Sequence, residues 1–537
     1  MSVYDLLAAS AARWPERPVL QVLPSVAAVY TDVPAGEITY TAFLADVDAA
    51  ADTLAAAGYG RGMRVAVLLE NRPRFFALFV ALTRLGASIV PINPDLRAAE
   101  LEYLLGHSEP ALVLALPARQ AELRAAAEAA GLSAPVVGPD LASLPSPRAG
   151  AEVTDASRLG RAAEAAVLYT SGTTGQPKGC VLSNDYFLIA GEWYRDLGGL
   201  AALTEDGERM ITPLPIFHMN AMACSFMAML TVGGCLIALD RFHPSTWWQD
   251  VAESRASCLH YLGVMPSILM GLPEAHTDRD HSVKFGFGAG VDPKLHAPFE
   301  ARFGFPLIEA WAMTETGCGG VIAAATADRR VGDASFGRTA LEVEARVMAE
   351  DGCEAAPGQP GELLVRAAGD DPRRGFFTEY YRNPTATAEA WAGGYLNTGD
   401  IVVRDVDGVF TFVDRKKNVI RRSGENIAAV EVESVLMRHP AITAVGVAAV
   451  PDAVRGDEVM ALIVAQGASD ALAMEIADWA LGQMAYYKVP GYIAFVEALP
   501  LTATQKIQRK ALREQAVSLL EDAGTVALTH LKKRQAG

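Results

Sequence analysis

The densest group of chemistry-bearing residues is Leu168-Tyr-Thr-Ser-Gly-Thr-Thr-Gly-Gln-Pro-Lys-Gly179, where three glycines, four Ser/Thr hydroxyls and a lysine follow an apolar strand. Glycine lets backbone N–H groups turn toward an anion, the hydroxyls add donors and Lys178 adds charge, so the segment reads as a phosphate cradle. The Walker A pattern cannot be threaded through it. A second group, Glu309-Ala-Trp-Ala-Met-Thr-Glu-Thr-Gly317, sets Glu315 among hydroxyls and small residues, where a carboxylate can ligate Mg2+ beside phosphates. Trp311 offers a flat face for a base, although a Trp on an apolar strand is more often core. In Tyr395-Leu-Asn-Thr-Gly-Asp400 the aspartate either accepts hydrogen bonds from ribose hydroxyls or ends a turn. Pro500-Leu-Thr-Ala-Thr-Gln-Lys-Ile-Gln-Arg-Lys510, taken alone, is a solvated basic run.

Alternating strand and helix patterns position these groups. Arg64–Glu70 reads as a buried strand, Pro73–Leu85 as a helix, Ala87–Pro91 as a strand and 98–105 as a helix, which predicts parallel α/β layers. Residues 117–160 are Ala- and Pro-rich and read as helix and loop. From about 340, the short strands 342–348, 361–366 and 407–413 are separated by Gly, Asp and Pro turns and predict a β-rich subdomain. A boundary is placed at Asp414-Arg-Lys-Lys-Asn418, giving a large N-terminal domain over 1–414 and a small α+β domain over 415–537. Strands are expected near 444–450 and 459–465, with a terminal helix and a basic end from Ser518.

The 537 residues exceed one ordinary domain, and an apolar share of 51% excludes disorder. A net charge of −17 argues against nonspecific binding to nucleic acid or anionic membrane. Six scattered cysteines with no C-x-x-C pair read as reduced thiols, so no zinc site and a cytoplasmic setting are expected. Met1–Leu7 lacks the basic and apolar character of a signal peptide. The apolar run Phe75–Ile92 is interrupted by Arg84 and Gly86 and reads as helix then strand, not as a membrane span.

In order and spacing, the four groups resemble the motifs of the acyl-CoA synthetase branch of the ANL superfamily of adenylate-forming enzymes, from about Tyr4 to Leu512. Tyr169–Gly179 is similar to the family's phosphate loop, Trp311-Ala-Met-Thr-Glu315 to its adenine and magnesium motif, Thr398-Gly-Asp400 to its ribose motif and Asp414-Arg-Lys-Lys417 to its hinge. Ser423-Gly-Glu-Asn-Ile-Ala-Ala-Val-Glu-Val-Glu433 is similar to the stretch after the hinge. Gln505-Lys506 stands where the family usually has Gly-Lys, and Asn426 where some members carry Arg.

The resemblance implies an enzyme that joins a small to medium carboxylic acid to CoA through an acyl-adenylate, using ATP and Mg2+ and releasing AMP and pyrophosphate. Lys506 would neutralise the approach of carboxylate to α-phosphate. Thr170, Ser171, Gly172, Thr173, Thr174 and Gly175, with Lys178, would hold the β- and γ-phosphates, and Thr174 and Glu315 would face the metal. Gly288, Ala289, Gly290, Trp311, Ala312, Met313 and Thr314 would border the adenine, and Asp400 and Arg415 the ribose. The small domain would rotate about Lys417, so that Ser423 and Gly424 replace the Lys506 segment and line the pantetheine tunnel. By the same resemblance Trp193, His218, Asn220, Gly263, Met265, Gly288 and Gly317 border the acyl pocket, with His218 as its gate. Phe217-His-Met-Asn-Ala and His260-Tyr-Leu-Gly-Val-Met-Pro-Ser are similar to crotonobetaine/carnitine–CoA ligases, and aromatic residues there could cage a quaternary ammonium or hold an apolar chain or ring. A stand-alone adenylation enzyme that loads a carrier protein remains the alternative, and a homodimer is compatible with the sequence.

Overall fold

The computed structural model describes residues 1–170, 176–415, 419–500 and 507–532. Two sheets flank buried helices in the large domain. In one, the strands run in the order Glu379–Tyr380, Lys178–Ser183, Glu164–Thr170, Ser88–Pro91, Arg64–Leu68, Leu112–Ala115, Val136–Val137. From Glu164–Thr170 to Val136–Val137 every pairing is parallel. Lys178–Ser183 turns back antiparallel on Glu164–Thr170, pairing Lys178 with Thr170. The second sheet has a parallel centre, Leu307–Trp311, Phe285–Ala289, Cys258–Leu262, Arg209–Thr212, Cys235–Ala238, Pro18–Val22, with an antiparallel strand at each edge.

Helix Pro73–Leu85 shows why its sequence is so apolar. Proline at its first turn fits the missing N–H there, and Gly86, at φ 68°, takes the left-handed position that ends it. Nine consecutive residues, Phe75 to Thr83, are buried, and Phe76 and Phe79 pack against Phe226 and Phe187. A helix apolar on every face is a core element here. No helix among the described residues is long and apolar enough to cross a membrane.

A five-stranded antiparallel sheet follows, in the order Ser335–Gly337, Phe410–Arg415, Leu396–Arg404, Pro360–Ala367, Val343–Met348. The next strand, Val419–Arg422, belongs to a different sheet with Glu425–Ala428, Gly456–Ala465, Ile442–Asp452, Tyr492–Phe495 and Thr525–Ala527. That sheet has its own core around Val432, Val459, Ile463, Ile476 and Ile493. The last helix differs from the sequence expectation. The last α-helix spans Arg509–Leu519 and buries Leu512 and Ala516, one turn apart, while a turn at Asp522–Gly524 leads into Thr525–Ala527, which pairs with Tyr492–Ala494, and a short 3-10 turn follows at Thr529–Leu531.

Candidate active site

A cavity of about 1180 Å3 runs between the two large-domain sheets and under the small domain. At one end the strand pair Glu164–Thr170 and Lys178–Ser183 brings Thr170 and Lys178 onto its wall. Ser171–Gly175 and Lys506 lie outside the described residues, as do Lys417 and the side chain of Arg415. Lys178 Nζ stands 4.7 Å over the Tyr380 ring, and Tyr380 donates a 2.8 Å hydrogen bond to Oε1 of buried Glu315. Burial and the Glu315 charge raise the Tyr380 phenol above its ordinary range, so it stays a donor. A backbone bond from Phe377 N to the Glu315 carbonyl and a side-chain bond from Tyr186 Oη to the Thr314 carbonyl fix the turn that presents Ala312–Glu315 to the cavity.

Trp311 and Asp400 meet. The indole Nε1 donates to Asp400 Oδ2 at 2.8 Å, the ring packs on Phe336, and Trp311 is buried. The wall beside it is made by Ala310, Ala312, Met313, Thr398 and Gly399. Gly288, Ala289 and Gly290 do line the cavity. Gly288 must lack a side chain, because a Cβ there would sit 2.2 Å from the Tyr261 carbonyl oxygen. The turn after it is pinned by Glu309, which accepts from Gly290 N (2.9 Å), Val291 N (3.2 Å) and Tyr261 Oη (2.8 Å). Burial raises the Glu309 pKa against the pull of those donors. The sequence assigns Glu309 no role; its place as a lone carboxylate in the middle of the apolar strand Leu307–Trp311 is the signal that points to it.

On the opposite wall stand Trp193, His218, Asn220, Gly263 and Phe287. Two expected pocket residues do not reach it. Met265 is buried in the first turn of helix Val264–Met270 with its side chain in the core, and Gly317 is wedged against the Tyr186 ring and the Gly375 carbonyl, where a Cβ would fall at 2.4–2.5 Å. Their neighbours Val264 and Ser267, and Met313 and Thr314, face the cavity instead. Asn220 opens a π-helical turn, Asn220–Ser225, of a kind that recurs at functional sites.

The small domain closes the far end. His218 Nε2 and Glu425 Oε1 approach to 3.3 Å across the domain boundary, and Gly424, at φ 91°, lies so close to Leu262 that a Cβ would meet Cδ1 at 2.2 Å. Ser423, at φ 49°, is held by its N–H to the Arg455 carbonyl and does not itself line the cavity, whereas Gly424, Glu425 and Asn426 do. The domains are joined by Lys488 Nζ, 2.5 Å from Glu100 Oε1 of the large domain and 2.6 Å from Glu431 Oε1 of its own. Burial alone would lower the Lys488 pKa, but the two carboxylates override it and raise the value above the usual lysine range. Ala485 N also donates to Glu100, and Asn93 Nδ2 to Tyr487 Oη, each at 3.0 Å.

Residues 7–377 match the model of the AMP-binding enzyme family, and residues 431–506 that of the AMP-binding enzyme C-terminal domain. The chain belongs to the AMP-binding enzyme family. It is 34% identical to sulfoacetate–CoA ligase of Cupriavidus necator, over 96% of this chain and 98% of that protein. It is 29% identical to crotonobetaine/carnitine–CoA ligase of Salmonella paratyphi A, over 89% of this chain and 93% of that one. Among solved structures, it is similar to a malonyl-CoA ligase bound to methylmalonyl-CoA and AMP, with a TM-score of 0.73 and 27% identity over 90% of this chain and 97% of that one. In this AMP-binding enzyme the strand ends at Thr170 and Lys178, the 288–290 turn and the 424–426 segment border a single cavity.

Proposed function

We propose that this AMP-binding enzyme, an acid–CoA ligase working through an acyl-adenylate, divides its chemistry between a large domain over 1–414 and a small domain over 415–537. The observation that carries the reading is the continuity of the cavity from Lys178 and Glu315 to His218, Glu425 and Gly424. An acid activated at one end meets a thiol entering at the other without leaving the protein. In the first step a carboxylate oxygen attacks the α-phosphorus of ATP and the bond to pyrophosphate breaks. In the second the CoA sulfur attacks the acyl carbon, AMP leaves, and the thiol proton passes to solvent or to a base.

The first step brings two anions together, so cations placed in advance are what lower its barrier. Lys506 is assigned to the carboxylate and α-phosphate, and Thr170–Gly175 with Lys178 to the β- and γ-phosphates. The buried carboxylate of Glu315 suits a hard cation beside phosphates, and Glu315 with Thr174 would hold Mg2+, which would offset phosphate charge. Asp400 is assigned to the ribose, with Arg415 beside it. Gly288–Gly290 and Ala312–Thr314 are assigned to the adenine. The second step is assigned to the Ser423–Gly424 turn as tunnel wall and to His218 as gate, with Lys417 as the hinge between the two arrangements. Six free cysteines suit a reducing cytoplasm, where we place the reaction. The chemistry is the same for a monomer or a homodimer.

The test is pyrophosphate, AMP and thioester measured together over a panel of acids, with and without CoA. Equal AMP and thioester in the CoA lanes are expected. Pyrophosphate from an active acid with thioester absent would reject CoA as acceptor and favour a carrier protein.

A further inference from the structure

Behind the acyl wall runs a chain of hydrogen bonds whose protons can be counted. Tyr194 Oη and His260 Nε2 are 2.9 Å apart, His260 Nδ1 lies 2.7 Å from Asn220 Oδ1 and 2.8 Å from Ser225 Oγ, and Ser225 Oγ lies 3.2 Å from the Asn220 carbonyl. Tyr194, His260 and Ser225 are fully buried. Among the described residues the Tyr194 hydroxyl has His260 as its one partner, so it must donate to Nε2 or leave a buried donor unmade. That assigns the ring proton to Nδ1. Nδ1–H then donates to Asn220 Oδ1, while Ser225 donates to the Asn220 carbonyl. Burial pushes the His260 pKa down to about 3, which keeps the ring neutral. The amide of Asn220 is therefore held with its oxygen inward and both Nδ2 hydrogens toward the cavity, where Asn220 is part of the wall.

We infer that Asn220 selects the acid: this pocket takes a carboxylic acid carrying a second, uncharged hydrogen-bond-accepting oxygen, such as a keto, hydroxyl, ether or amide group. The inference rests on the ligation reading above. The neighbours of Asn220 on this wall are mostly apolar, with Trp193 against Phe287 at 5.9 Å and Cys224 and Met219 beside them, while His218 on the same wall is turned to Glu425 of the small domain. Among the described residues this wall carries no Arg or Lys; the cationic residues of the cavity are Lys178 at the phosphate end and Arg421, Arg455 and Lys488 from the small domain. A second anion such as a sulfonate or carboxylate would be buried here without a counter-charge. A quaternary ammonium would face the positive end of the amide dipole. Tyr194 and His260 act as positioning residues, holding the amide rather than touching substrate.

The experiment pairs acids that differ only in the second oxygen, for example 4-oxopentanoate with pentanoate and 4-hydroxybenzoate with benzoate, with sulfoacetate, malonate and carnitine added. kcat/KM for thioester formation is measured for wild type, Asn220→Leu and Tyr194→Phe. In parallel, the dissociation constants of the matching acyl-sulfamate adenosines are measured by calorimetry. The oxygenated member is expected to be preferred by about 10-fold or more. Asn220→Leu should abolish the preference, costing the oxygenated member about 10-fold more than its deoxy partner, and Tyr194→Phe should weaken it. Equal loss for both members, or sulfoacetate, malonate or carnitine as the best acid, would overturn the assignment while leaving ligation intact. Tight adenylate binding with no thioester from any acid would instead overturn the ligation reading.

Discussion

Replacing Glu100 by Gln should separate the two half-reactions. Glu100 sits at the third position of helix Ala98–Ser108, where its Oε2 accepts from Arg97 N at 2.9 Å and from Ala485 N at 3.0 Å, while Oε1 takes the small domain's Lys488. Glutamine serves the same capping position, so the helix survives the change. What is lost is the charge that compensates a buried lysine across the domain boundary; Glu431, in the small domain, keeps its own bond to Lys488. A hydrogen bond to a charged group contributes about 1.5–3 kcal/mol. At 1.36 kcal/mol per decade this becomes a roughly 10- to 150-fold loss of the docked arrangement. In that arrangement Gly424 and Glu425 complete the cavity, so thioester formation from preformed acyl-adenylate and CoA should slow by up to that factor. ATP–pyrophosphate exchange with the same acid should change less than about threefold. Exchange falling as far as thioester formation, or thioester formation within about twofold of wild type, would refute the argument that Glu100 works by docking the small domain.

Three further outcomes follow from the geometry. Gly424→Ala puts a Cβ 2.2 Å from Leu262 Cδ1 at a φ of 91°, and strain of about 1–3 kcal/mol should slow the CoA step while sparing pyrophosphate exchange. Glu309→Gln turns an amide NH2 toward donors already aimed at that carboxylate, so KM for ATP should rise and the melting temperature fall, by about 1–3 kcal/mol of stability. His260 is neutral in the fold, with a pKa near 3 against 6.5 for the free side chain. The unfolded chain gains its proton first on acidification, so the stability this residue holds above pH 6.5 is lost as pH falls toward 3. His260→Gln should start lower at pH 8 and lose that part of the slope. Parallel melting curves for the two proteins from pH 8 to 4 would contradict a neutral buried His260.

Local patterns made much of this legible before any coordinates. Helix Pro73–Leu85 has its start and stop written in Pro73 and Gly86, and the strands Arg64–Leu68 and Ser88–Pro91 are buried, apolar after their first residues. Glu315, Gly288 and Gly424 were found through short motifs whose residues are adjacent in sequence. Pairs assembled by topology were not visible. Lys488 meets Glu100 across 388 residues, and Tyr194 meets His260 across 66, so neither leaves a periodic or local trace. The Trp311–Asp400 pair is of the same kind: sequence shows a large aromatic beside a nucleotide motif, and only the approach of strand Leu396–Arg404 commits its N–H to Asp400.

The central claim is the acyl-adenylate, and isotope transfer tests it most directly. A carboxylic acid labelled with 18O in both oxygens is incubated with the enzyme, ATP, Mg2+ and CoA, and the AMP is analysed by mass spectrometry. Attack of the carboxylate on the α-phosphorus predicts AMP carrying one 18O for each thioester formed. Unlabelled AMP, or ADP and phosphate in place of AMP and pyrophosphate, would contradict it.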